Sequence, residues 1–382
     1  MDIDFARTVF DDNERAAVDR VLRGHWLASG EENEAFEREF SELIGVEHAV
    51  CCNSGSSANL LALASLDLPK GARVITSGCG FPATLSPILH LGLEPVLVDY
   101  DLSTHNISVD QVISKMPSSK ALILAHTMGS PVDMRPIMQA AERHGVKVIE
   151  DCCEAIGAKL DGKQVGSFGD VGTFSFYPSH QITAGGGGGM VTFKDSSEYH
   201  RAKSMRDWGK LATESGRNNT AYETEVGGLK YFSHYTYETV GWNFKLPEMC
   251  AAFGRVHLSR LEDIVTNRQF NHDYIVRNLP DVFEQINVPV GVSPSWFGVI
   301  LTLKDGNRNL FGKKLEALGI RHRPFFAGNI TKHRPFSHLK ASLPVADRLM
   351  RDSLFVGCWA GLTMEQLNYM VDWIKKSTEE MS

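Results

Sequence analysis

Four short runs hold the side chains with which this sequence can do chemistry. Ser54-Gly55-Ser56-Ser57 offers hydroxyls and backbone N–H groups where an apolar run breaks and a helical one begins. A strand, a hydroxyl-rich turn and a helix N-terminus together can cradle a phosphate, because the first N–H groups of a helix are unpaired and carry its positive end. Ordinary helix capping uses the same residue types. Asp151 closes the run Val148-Ile149-Glu150. A buried carboxylate there needs a cation or several donors beside it; a protonated pyridine nitrogen or a following helix N-terminus meets that need. Phe81 is an aromatic face for a flat ring or for core packing. His180 follows Phe174-Ser175-Phe176-Tyr177-Pro178-Ser179 and precedes five glycines, Gly185 to Gly189. An imidazole, with its ordinary pKa of about 6.5, is a competent base at neutral pH. Five glycines are costly to order and suit a backbone that bends sharply or approaches something closely. Met190-Val191-Thr192-Phe193 restarts a strand at once, so the run is a tight turn.

These residues need a scaffold, and the hydrophobic pattern supplies one. Residues 48–52, 73–76, 95–98, 121–124 and 146–149 are short apolar strands separated by helical stretches. Continuous apolar strands alternating with helices predict an α/β fold with a mostly parallel sheet covered on both faces. Ligands of such sheets gather at the carboxyl ends of the strands. Ser54 to Ser57, Phe81 to Thr84, His126, Asp151 to Glu154 and His180 all follow strand ends, which predicts one site built from distant segments. A helix is expected over 197–207. Residues 208–240 are polar and aromatic with little periodicity, as in a functional or interface segment. A helix from about 246 through 261 leads to a smaller α+β part, with a strand within 296–303 and helices over 309–318 and 345–354. The division expected is a large domain over 1–250 and a small C-terminal one over 251–382.

Composition narrows the classes. The 382 residues are 43% hydrophobic and 22% charged, with a net charge of −7 and dispersed basic residues. That argues against a nucleic-acid or acidic-membrane partner. Neither a signal peptide nor an uninterrupted apolar run of membrane-spanning length is visible. The seven cysteines include no C-x-x-C pair, which predicts reduced thiols in a cytoplasmic protein and no metal centre.

Longer motifs carry a resemblance. Gly169-Asp170-Val171-Gly172-Thr173-Phe174-Ser175-Phe176-Tyr177, Glu150-Asp151-Cys152-Cys153-Glu154-Ala155-Ile156-Gly157-Ala158, Ser54-Gly55-Ser56-Ser57-Ala58-Asn59 and Gly241-Trp242-Asn243-Phe244-Lys245 together resemble the nucleotide-sugar aminotransferases of fold-type-I, pyridoxal-phosphate (PLP) dependent enzymes. The resemblance covers essentially the whole chain. In most of that family the position of His180 carries the lysine that bonds covalently to the cofactor. Histidine there is similar to the sugar 3-dehydratase branch. Phe81-Pro82-Ala83-Thr84, Tyr177-Pro178-Ser179-His180, Arg206-Asp207-Trp208-Gly209 and Ala327-Gly328-Asn329 resemble an iron–sulfur member of that branch, whose cluster cysteines follow Trp-Gly. Residues 210–240 here contain no cysteine, so no cluster is implied.

The resemblance assigns roles by position. Ser56 and Ser57 would hold the cofactor phosphate, with Asn243 entering from the second subunit of a homodimer. Phe81 would lie on the ring, Asp151 would pair with the pyridine nitrogen, Glu154 would stand near the phenolic oxygen, and Ser175 would be a further cofactor contact. His180 would be the base. Arg323, Asn329 and Trp296 are candidate contacts to a nucleotide sugar, and fit the core and surface of the small domain as well. The implied activity is C-3 dehydration of a nucleotide-linked 4-keto-6-deoxy sugar by non-covalently held PLP and pyridoxamine phosphate (PMP), with L-glutamate as amino donor. A sugar aminotransferase and a catalytically silent PLP-fold protein are the alternatives. One departure stands out: the family pattern has a glutamate in the glycine turn where this chain has Gly186.

Overall fold

Among the residues that the computed structural model describes, 1–211 and 224–380, seven strands form the central sheet. They are β1 (His48–Cys52), β2 (Arg73–Ser77), β3 (Glu94–Val98), β4 (Ala121–Ala125), β5 (Lys147–Asp151), β6 (Val171–Ser175) and β7 (Gly189–Phe193). Their order is β1-β7-β6-β5-β4-β2-β3. β7 alone runs against its neighbours, pairing antiparallel with β1 and β6. The cause lies in the connections. Parallel strands need a long crossover, usually a helix, whereas antiparallel strands can be joined by a turn. β6 reaches β7 through the glycine run. β4, Ala-Leu-Ile-Leu-Ala, is buried at its first four positions, as expected of a strand with helices on both faces.

A three-stranded antiparallel sheet forms the C-terminal part: β8 (Gly298–Thr302), β9 (His322–Pro324) and, between them, β10 (Ser353–Gly357). The helix expected over 345–354 ends sooner. It covers Pro344–Asp352, and Ser353 and Leu354 already belong to β10. All five residues of β10 are buried, so their apolar run continues the pattern of the helix before it and hides the boundary. The helix expected from 246 is two, Glu248–Ser259 and Leu261–Arg277, meeting at Arg260. The 208–240 segment, of which 212–223 lie outside the described residues, contains a hairpin of Thr224–Val226 with Leu229–Tyr231. Gly227 and Gly228 turn it with φ of 60° and 80°, the geometry of a tight hairpin turn.

Two features aim the scaffold at the site. Phe174 and Phe176, which bracket the end of β6, are fully buried; their rings lie 4.8 Å from Phe40 and 5.0 Å from Phe36. That aromatic cluster anchors the chain just before His180. The first residues of the chain join the C-terminal part, with Ile3 N–H donating to Gly319 O at 2.8 Å and Arg321 N–H donating to Ile3 O at 3.1 Å. Phe5 is thereby carried to the carboxyl ends of the central strands. Among the described residues no helix is long and apolar enough to cross a membrane.

Candidate active site

A cavity of about 750 Å³ opens at the carboxyl ends of the parallel strands. Its floor is organised by Asp151, the last residue of β5. Asp151 is 5% exposed, and its Oδ2 accepts from Asn59 Nδ2 and Thr84 Oγ1, both at 2.8 Å, while Oδ1 accepts from Cys153 N–H at 3.1 Å. Asn59 is held in turn by Thr173 Oγ1, which donates to its carbonyl at 2.5 Å. Two helices and a neighbouring strand therefore fix one carboxylate. Asn59 and Thr84 fall within the quoted motifs, but nothing in the sequence reading gave them this duty.

The N-terminal end of the helix Gly55–Ser65 forms one wall. Ser54 caps it, its Oγ accepting from Ser57 N–H at 3.1 Å. Ser54, Gly55 and Ser56 line the cavity. Ser57 does not: it is buried behind the turn and its hydroxyl is bonded to Ser54 Oγ at 3.0 Å. The expected pair Ser56 and Ser57 is thus Ser54 and Ser56 on the wall, because adjacent residues of a helical turn point about 100° apart. Gly187 and Gly188 close this side. Gly189 lies so near Ser54 that a Cβ on it would be 2.4 Å from Ser54 O, which accounts for glycine there. Gly186 differs. A Cβ would meet nothing within 4 Å, but its φ is +123°, a conformation that L side chains resist.

Phe81, 60% exposed and capping the helix Pro82–His90, stands at the mouth. Glu154 Oε2 accepts from Met128 N–H at 2.7 Å. Burial, with the Asp151 charge adding to it, pushes its carboxyl up to about 8 against the Met128 bond. His180 Nδ1 lies 3.2 Å from Ser175 O. A carbonyl can only accept, so Nδ1 carries the proton and Nε2 keeps a free lone pair. The edge of the ring packs on Phe297, centroids 5.3 Å apart. Burial pushes the imidazole down to about 4, with the Arg268 charge acting the same way and the Ser175 carbonyl and Asp151 opposing. An imidazole held neutral across the physiological range results.

These two shifts make a checkable statement about the cofactor-free protein. Glu154 is raised in the folded state, so its contribution to stability is lost as pH rises from its ordinary 4.5 through about 8. His180 is lowered, so its contribution is lost as pH falls from 6.5 through about 4. The two oppose each other below pH 6.5, and Glu154 acts alone above it. Thermal melting should therefore fall more, or rise less, from pH 6.5 to 8 in the wild type than in Glu154→Gln, the lowered His105, His257, His272 and His322 acting equally in both. An equal change in the variant would contradict the placement of Glu154.

The remaining expected residues divide. Ser175 and Arg323 line the cavity, the Arg323 guanidinium 5.2 Å from the centre of the Phe5 ring. Trp296 does not; it is buried and stacked on His272 at 3.8 Å, and its neighbour Phe297 faces the cavity instead. Asn329 is off the wall too, its side chain donating to Asp347 and accepting from Thr331 at 2.7 Å each. Asn243 is exposed, bridged to Asp207, and away from its own chain's cavity. His126 is fully buried beside the site rather than in it: Nδ1 accepts from Val132 N–H and Nε2 donates to Glu150, both at 3.0 Å. Phe5 and Tyr100, on the wall, were not anticipated. Tyr100 had the signal that Asp151 had, a strand end just before it; Phe5 had none.

No lysine lines this cavity among the described residues. Its remaining chemistry fits a phosphorylated pyridine: a helix N-terminus with two hydroxyls for the phosphate, an aromatic face, and a buried carboxylate fixed by three donors to face a ring nitrogen. Fold and site together define a fold-type-I PLP-dependent protein. The chain belongs to the DegT/DnrJ/EryC1/StrS aminotransferase family, whose model matches residues 9–375. A lipopolysaccharide biosynthesis protein of Salmonella typhimurium, RfbH, is 38% identical over 379 residues, 93% of this chain and 86% of that one. The dTDP-4-dehydro-2,6-dideoxy-D-glucose 3-dehydratase of Saccharopolyspora spinosa is 34% identical, with 98% and 86% covered. Among solved structures, GDP-4-keto-6-deoxy-D-mannose-3-dehydratase of E. coli with bound hydrated PLP superposes with a TM-score of 0.88 at 27% identity, covering 98% of this chain and 100% of that one.

Proposed function

We propose that the protein removes the C-3 hydroxyl of a nucleotide-linked 4-keto-6-deoxy sugar, using PMP replenished from PLP by L-glutamate. The observation that carries this is His180, an imidazole held at Nδ1 by Ser175 O on the wall of a cavity in which no lysine stands among the described residues. Lysine is a nucleophile before it is a base. Histidine leaves the base and removes the stable covalent anchor, so phosphate, ring and charge contacts must hold the cofactor. The bound cofactor supplies an amine and an electron sink. The chain supplies the rest: Ser54 and Ser56 with their helix N-terminus for the phosphate, Asp151 for the pyridine nitrogen, Glu154 near the phenolic oxygen, and His180 Nε2 to take and return a proton. Arg323 would meet an anionic part of the nucleotide sugar, and Asn243 would reach the cavity of a second copy in a homodimer.

The overall exchange balances without an external reductant. Glutamate is oxidised to 2-oxoglutarate and ammonia, and the same two electrons reduce C-3 from an alcohol to a methylene. Purified protein given PLP, L-glutamate and nucleotide 4-keto-6-deoxy sugars should release ammonia and 2-oxoglutarate in equal amounts with a 3-deoxy-4-keto product. A stable 4-amino sugar as the only product would replace this reading with transamination.

A further inference from the structure

Behind His180, on the side away from the cavity, lies a cation with no carboxylate. Arg268, in the helix Leu261–Arg277, is 3% exposed, and no carboxylate pairs with it among the described residues. Its oxygen partners are backbone carbonyls, and the Cys358 thiol lies beside it. Nη1 donates to Trp296 O at 3.1 Å and Phe297 O at 3.2 Å; Nη2 donates to Ser179 O at 3.3 Å and His180 O at 3.1 Å. Nε has no partner. A buried charge without a counter-ion costs several kcal/mol, and carbonyl dipoles offset that only in part. Stability alone would favour an apolar side chain here, so the charge calls for another reason.

The four acceptors supply one. They belong to two separate segments that both touch the imidazole. Residues 179–180 carry the histidine itself, and Phe297 supplies the ring against its edge. The planar fork of arginine can span two acceptors on each side at once, which a lysine cannot. We infer that Arg268 is a positioning residue for His180: its guanidinium locks the Ser179–His180 backbone to the Trp296–Phe297 backbone and so sets where the imidazole Nε2 stands in the cavity. The inference rests on the reading of His180 as the base. Its geometry does not depend on which sugar is used.

The charge has a second consequence, since a fixed cation beside an imidazole disfavours a second positive charge. The other titratable or charged groups around His180 are Tyr177, whose ring meets it edge-on, Asp151 at the end of β5, Glu154, Cys153 and Arg323 on the same cavity wall, and Arg7 and His257, which share with it a small cavity behind the loop. Asp151 opposes Arg268, and burial acts with it.

The test uses cofactor-free protein with carbon-13-labelled histidine, the His180 signal being assigned by its loss in His180→Asn. In the wild type, His180 should show contacts to the Phe297 ring protons and should titrate near 4. In Arg268→Met the contacts should weaken and the titration should move upward, since the Arg268 charge acts with burial to hold it down. Ammonia release by the holoenzyme should fall roughly 10²-fold in kcat with little change in KM, as expected when a reacting group is misplaced by about 1 Å. A folded Arg268→Met protein with unchanged Phe297 contacts would overturn the inference, whatever its titration. Should that variant not fold, Arg268→Lys decides. It keeps the charge but cannot bridge both carbonyl pairs, so the contacts and kcat must still fall; unchanged values refute the positioning role. The spectra need no turnover. If the ring moves but the wild type consumes no sugar, the positioning stands and the proposed reaction fails.

Discussion

His180→Asn should bind PLP as the wild type does and turn over the 4-keto sugar about 10²–10⁴-fold more slowly, the range that a positioned general base contributes. Asparagine is the informative replacement because of the bond at Nδ1. Its side-chain N–H can occupy that place and keep donating to Ser175 O, which the imidazole meets at 3.2 Å. What disappears is Nε2, the ring nitrogen that Ser175 does not hold. The fold should be undisturbed, with a melting temperature close to the wild type. Cofactor affinity should be similar, since among the described residues neither protein has a lysine in the cavity to bond with it. Absorbance of bound cofactor after dialysis checks the second point, and ammonia release checks the first. Variant turnover within a factor of three of the wild type would remove His180 from the chemistry. His180→Lys gives the converse: it should hold the cofactor by a bond that borohydride fixes, and should lose dehydration.

The sequence made the scaffold legible for a physical reason. Parallel strands buried on both faces are continuous apolar runs, and their carboxyl ends mark a line along which ligands gather. Ser54, Phe81, Asp151 and His180 were placed near one another on that ground, and the structure brings them to one cavity. The rule locates a strand end but does not say which way a side chain points. Hence His126 follows a strand end like the others, yet its ring lies buried against Glu150. The same ambiguity exchanges Ser57 for Ser54 and Trp296 for Phe297, shifts of a few residues that turn a side chain to another face. Phe5 was beyond reach altogether, because the backbone bonds between Ile3 and residues 319 and 321 that carry it to the cavity leave no local pattern. Arg268 was missed in another way. A lone arginine on a helix reads as solvated surface, and only the fold reveals four carbonyls around it.

Asp151→Asn tests the other half of the site, with a different signature. The carboxylate accepts three hydrogen bonds, from Asn59, Thr84 and Cys153. An amide has one oxygen to offer. With that oxygen toward Asn59 and Thr84, its NH₂ faces the Cys153 N–H; turned round, it faces the Asn59 amide, whose own carbonyl is taken by Thr173. Either way a buried donor loses its acceptor, at about 1–3 kcal/mol, so the cofactor-free variant should melt below the wild type. On the proposed reading the pyridine nitrogen would also lose its anion. A hydrogen bond to a charged group is worth about 1.5–3 kcal/mol, so PLP affinity should drop roughly 10–100-fold. Turnover should drop further than affinity explains, on the order of 10²–10³-fold, because a ring without a stabilised positive charge is a poorer electron sink. Saturating cofactor separates the two effects. If excess PLP and glutamate restore the full rate, Asp151 only anchors the ring. If the rate stays low at saturation, the carboxylate also tunes the ring, and His180 has a proton to take only because Asp151 holds the charge that makes the neighbouring carbon acidic.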